Sequence, residues 1–159
     1  MSTLTSQPPV PFDATGFFRT AYYSPVTSEV EKNIKIAAVA NQPNDPEGFM
    51  AKFIGMGAVA YWHDITWAYI FKSQLLMLTE MNRRNGYLPL LDAKTVYDQA
   101  VQDYPNVYAN YSFDQWLSYM KNRTLIIRHP SDMLEITQGG KDFLRYIAHC
   151  GHDSGCKVG

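Results

Sequence analysis

Residues 112–147 change their hydrophobic period twice, and this constrains the fold more than any other feature of the chain. Phe113, Trp116, Leu117 and Met120 fall at i, i+3, i+4 and i+7, one face of a helix. Asp114, Gln115, Ser118, Tyr119, Lys121 and Asn122 take its outer side. Ser112 stands where an N-cap is needed. Residues 125–128 then read as a short β-branched strand, and His129, Pro130, Ser131 and Asp132 as a turn. In the next strand, residues 133–137, Leu134 and Ile136 alternate with Glu135 and Thr137, as in a half-buried hairpin. The helical period returns over residues 139–150, with Phe143, Leu144 and Ile147 inward.

Upstream, the spacing predicts four more helices. Thr27 is placed to cap the first, with Val30, Ile34, Ala37 and Ala38 on one stripe. Asp45 and Pro46 suit the cap and first residue of a second helix running towards Trp62, and Asp64 the cap of a third over residues 65–85. Arg83, Arg84, Asn85 and Gly86 make a helix stop. Asp92 is expected to cap a fourth helix over residues 93–103, and a tyrosine-rich loop follows over residues 106–111. Gly55 and Gly57 weaken the second helix but let a neighbour approach closely. They do not form a phosphate loop, because no Lys-Ser/Thr follows and the surroundings are apolar.

A chain of 159 residues can bury a core without metals or disulfides. The two cysteines, Cys150 and Cys156, lie in the last ten residues and cannot staple the body of the fold. The core must therefore stand on packing, which fits a reducing, cytoplasmic setting. The most apolar run, residues 53–62, is too short to span a bilayer, so no membrane partner is expected.

The order helix, helix, helix, two-stranded hairpin, helix resembles the winged helix-turn-helix superfamily over roughly residues 65–147. The most specific positions are Leu134, Ile136, Thr137, Gly140, Phe143 and Leu144 in an L-x-I-T-x-x-G-x-x-F-L run. The resemblance implies a mainly α fold with a two-stranded β-hairpin wing. Helix 112–122 would be the recognition helix and residues 128–132 the wing tip. Carried onto this chain, Gln115, Ser118, Tyr119 and Asn122 would face bases, and Lys121, Arg123, Arg128 and Lys141 would face phosphates of double-stranded DNA. Winged helices also serve as protein-interaction modules, so two functions stay open. One is a DNA-binding, regulator-like homodimer; the other is an adaptor that binds protein without DNA. The balance of 14 Lys plus Arg against 15 Asp plus Glu gives a net charge of -1, without the excess of a broad electrostatic grip on nucleic acid.

The domain reading is an extended arm over residues 1–25, packing or dimerisation helices over 26–64, the winged domain over 65–150 and a flexible tail over 151–159. The arm carries Phe12, Phe17, Phe18, Tyr22 and Tyr23, aromatics that suit packing on its own body or on a second copy. In the tail, His149, Cys150, His152, Asp153 and Cys156 are zinc-type donors, but their spacing matches no standard knuckle; the plainer reading is a tail without metal. His63 and Asp64 suggest acid–base chemistry, yet a helix junction with a capping Asp explains them more simply. No nucleophile elbow, HExxH, P-loop or dinucleotide fingerprint appears, and neither an enzyme nor a cofactor is expected. Tyr97, Tyr104, Tyr108, Tyr111 and Tyr119 read as core, as a protein-binding surface or as a stacking platform for single strands.

Overall fold

A computed structural model describes residues 25–159. The fold among these residues is mainly helical, with a small three-stranded antiparallel sheet. The chain divides into two compact units, the second beginning at Gly55. The arm expected over residues 1–25 falls almost wholly outside the described residues. Its last residue, Pro25, instead opens a helix, a position where its missing N–H costs nothing.

The first unit holds α1 (Pro25–Asn41) and the start of α2 (Pro46–Tyr69). Ala38 is the buried residue of α1. Asp45 caps α2 as expected: its Oδ1 accepts from the Gly48 amide at 2.9 Å, and Pro46 is the first helical residue. Beyond the backbone of α2 itself and the adjoining residues, nothing among the described residues comes within 4 Å of a Cβ added at Gly55 or Gly57, so the close approach these glycines permit is not used there.

The second unit holds the rest of α2, then α3 (Lys72–Arg83), β1 (Tyr87–Pro89), α4 (Leu90–Asp103) and the single turn α5 (Pro105–Tyr108). Next come α6 (Phe113–Asn122), β2 (Ile126–Arg128), β3 (Met133–Ile136) and α7 (Gln138–His149). A 3-10 turn, Ser154–Cys156, follows.

Asp64 caps nothing. α2 runs through it to Tyr69, and its carboxylate accepts from Tyr146 Oη of α7 at 2.8 Å. The break falls at Ile70 and Phe71, because α3 finds acceptors for its first amides in the tail rather than in a capping side chain. Lys72 N donates to the Val158 carbonyl at 3.3 Å, Ser73 N to that of Gly159 at 2.6 Å, and Lys157 Nζ to that of Trp67. Within residues 151–159, expected to be a flexible tail, the last three make these contacts, with Gly159 buried against Phe71 and Tyr108. Asp92 is likewise no cap. α4 begins two residues earlier, at Leu90, and Asp92 pairs with Arg84 at 2.8 Å.

The sheet has three strands in the order β1-β3-β2, so the expected two-stranded hairpin is corrected. Leu88 of β1 lies opposite Leu134 of β3, and Ile126 of β2 opposite Ile136. β1 escapes a periodicity reading because it is three residues long and ends in Pro89, tolerated on an edge strand. The chain reaches it through Asn85 and Gly86, whose φ values of 62° and 99° are left-handed, as the helix stop required.

The core of this unit forms around α6. Trp116, Leu117 and Met120 are buried as their spacing predicted, with Met77, Leu78 and Met81 of α3, Leu134 and Phe143. Burying an indole requires a partner for its N–H. Trp116 Nε1 donates to Ser73 Oγ at 3.0 Å, and the hydroxyls of Ser73 and Tyr108 share a hydrogen bond of 2.7 Å. Gln74 Nε2 donates to the Trp116 carbonyl at 2.7 Å. This buried network ties α3, α5 and α6 together and is fully paired, so it costs little in desolvation.

The start of α7 explains the I-T-x-x-G run. Thr137 is the N-cap; its Oγ1 accepts from the Gly140 amide at 3.0 Å and donates to the Leu125 carbonyl at 3.1 Å. Gly140 lies against that same carbonyl, where any side chain would collide.

Candidate functional site

Ser112 caps α6 as expected. Its Oγ accepts from the Gln115 amide at 3.3 Å, while Gln115 Oε1 accepts from the Ser112 amide at 2.8 Å, a capping box. Since Trp116, Leu117 and Met120 face inward, Asp114, Gln115, Lys121 and Asn122 are exposed and Ser118 is half-buried. One Asp and one Lys cancel, so this outer face carries no net charge.

Four further residues assigned to DNA make their own contacts within the fold. Tyr119 turns back onto α2, where its Oη donates to the Thr66 carbonyl at 3.0 Å, and burial pushes its phenol pKa up. Arg123 lies over aromatic rings, its guanidinium carbon 5.0 Å from the Trp62 centroid and 5.7 Å from that of Tyr119. Arg128 forms an ion pair with Asp132 across the wing turn. Lys141 is half-buried beside Gly86, away from α6. His129, at the same turn, bonds to Glu135 at 2.8 Å.

The tyrosine cluster divides. Tyr97 and Tyr108 are buried, Tyr111 and Tyr119 half-buried, and Tyr104 exposed. Tyr97 sits edge-on to Tyr108 at 5.6 Å and to Trp116 at 5.8 Å, and its Oη donates to the Tyr111 carbonyl at 2.6 Å. Rings engaged in this way are core, which leaves no run of open faces for stacking bases.

Sequence reasoning missed a pocket of about 310 Å³ between the second half of α2 and the α6–β2 turn. Ala58, Val59, Trp62 and Leu125 give it apolar walls, and Arg123, His63 and Asp142 its polar rim. His63 is 4% exposed, and its Nε2 donates to Asp142 Oδ2 at 3.1 Å. The two are 79 residues apart, so no local signal joins them. His63 Nδ1 is buried without a partner among the described residues.

The tail donors do not converge. Among the described residues no three His, Cys, Asp or Glu side chains could hold a metal ion. Cys150 and Cys156 are exposed free thiols, and His152 stacks on Trp67 at 4.7 Å. Asp64 holds the proton on the Tyr146 hydroxyl, pushing that pKa well up. Among the described residues no helix is long and apolar enough to cross a membrane.

No protein-family model, no curated protein and no solved structure matches this chain.

Proposed function

We propose that residues 65–147 are a winged helix-turn-helix module that binds a protein partner through α6 and its surroundings. The observation that carries this reading is electrostatic: the outer face of α6 is neutral, and of the cations assigned to phosphates Arg128 is paired with Asp132 while Arg123 is turned from that face onto Trp62 of α2. A phosphate grip needs uncommitted Lys and Arg, whose release of counterions supplies most of the affinity for duplex DNA. The same unit exposes Met56, Tyr61 and Trp62 on α2, side chains of the kind enriched at protein interfaces. The winged-helix assignment is supported by the helix order α3, α4, α6, then the β2–β3 hairpin and α7.

A second reading, a DNA-binding homodimer, keeps one specific support. Gln115 and Asn122, amides able to read adenine edges, remain exposed on a well-capped helix. Titrating binding to a random-sequence duplex against salt separates the two. The adaptor shows no binding at low salt. A salt slope worth several released ions, reduced in the Lys121→Ala, Arg128→Ala double variant, overturns the adaptor in favour of DNA. A photoreactive group at position 122 gives the converse test: a protein adduct in cells supports the adaptor, and a nucleic-acid adduct abandons it.

A further inference from the structure

We propose that the pocket between α2 and the α6–β2 turn is a binding site for a small organic carboxylate with an apolar body. The pocket shares Trp62 with the surface proposed above, but small-molecule binding is read separately from partner binding, so either can fail without the other. At about 310 Å³ the pocket has room for a ring or short chain. Its walls, Ala58, Val59 and Leu125, offer nothing but dispersion and burial.

The ligand's charge follows from Arg123. Its guanidinium is half-buried on the faces of Trp62 and Tyr119, and no carboxylate of the described residues comes within ion-pairing distance of it. The carboxylate that lines the pocket, Asp142, is paired with His63 instead. The other arginines of α3 and the wing each have a carboxylate: Arg83 and Arg84 meet Glu80, and Arg128 meets Asp132. A planar cation set over two aromatic rings, with no carboxylate partner of its own among the described residues, suits recognition of a carboxylate. Asp142, which also lines the pocket, repels a second anionic group, so the class is a monocarboxylate, its charged end at Arg123 and its apolar end on Val59. His63 Nδ1, buried without a described partner, marks the same wall as incompletely paired.

Arg123 is also the residue that closes the C-terminus of α6. A carboxylate bound there touches the end of the helix whose outer face is the proposed interaction surface.

Isothermal titration of the full chain with hexanoate and benzoate tests the site, with hexylammonium as the opposite-charge control. Saturable binding of a carboxylate, absent for hexylammonium, is the expected result. Arg123→Gln should weaken it at least tenfold, and Ala58→Trp, which fills the pocket, should abolish it. Circular dichroism and the thermal midpoint of each variant establish that it is folded. No binding of either acid at millimolar concentration overturns the proposal. So does equal binding of the ammonium, or affinity unchanged in a folded Arg123→Gln.

Discussion

Gly140 and the Leu125 carbonyl are in such close approach that a Cβ added at Gly140 would lie 2.3 Å from the oxygen and 2.7 Å from Ile136 Cγ1. The oxygen belongs to the backbone entering β2, so it cannot swing aside as a side chain could. Gly140→Ala should therefore destabilise the protein by about 2 kcal/mol, the overpacking cost exceeding the better helix propensity of Ala. Chemical denaturation gives the value, and a stabilised variant would show that α7 can shift outward freely.

Ser73 accepts from one buried aromatic and shares a hydrogen bond with another. Ser73→Ala strands both Trp116 Nε1 and Tyr108 Oη, and should cost about 2–3 kcal/mol. Tyr108→Phe leaves Trp116 paired and should cost about 1 kcal/mol. Equal losses in the two variants would place the burden on Tyr108 alone.

Glu80 accepts from Arg83 at 2.7 Å and from Arg84 at 2.5 Å, and these guanidinium hydrogen bonds bring its pKa down from 4.5 to about 2. A carboxyl with a depressed folded pKa stabilises the fold above the unfolded value and loses that contribution as pH falls through the folded one. The stability difference between the parent and an Arg83→Gln, Arg84→Gln variant should be constant above about pH 5 and shrink between pH 4.5 and pH 2. Urea unfolding at stepped pH reads it; a difference that grows on acidification has the opposite sign and excludes this cause.

Thr124 closes α6 with φ at 53°, the left-handed region that β-branched side chains avoid. Its N–H donates to the Lys121 carbonyl and that of Leu125 to Met120, both at 2.9 Å, the bonding that usually takes Gly at this position. Thr124→Gly should raise stability by about 0.5–1 kcal/mol, the relief of strain outweighing glycine's greater unfolded-state freedom. A rise of a few degrees in Tm checks it.

The α6 helix was legible in the sequence because everything that specifies it is local. Ser112 and Gln115 cap it three residues apart, and Phe113, Trp116, Leu117 and Met120 form one stripe over two turns. The β2–β3 alternation and the Thr137 cap were readable for the same reason. Asp64 misled, because an Asp before an apolar run has the local form of a cap. Its partner Tyr146 is 82 residues away, and Thr66, one turn beyond Trp62, is buried only once α2 continues past it.

The candidate site was half visible. The outward position of Gln115 and Asn122 follows from helical geometry, but Arg123 and Tyr119 lie beside them in sequence and still turn onto Trp62 and Thr66 of α2. By itself the sequence determined the helices whose stripes and caps lie within a turn or two, and the strands β2 and β3 that alternate between faces, since neighbours along the chain carry those signals. Only the tertiary structure decided where α2 ends, that Tyr87–Pro89 joins the sheet, that Val158 and Gly159 close α3, and that Arg123 overlooks a pocket. Each of these depends on hydrogen-bonding groups and aromatic faces that meet across tens of residues, where no periodicity reaches.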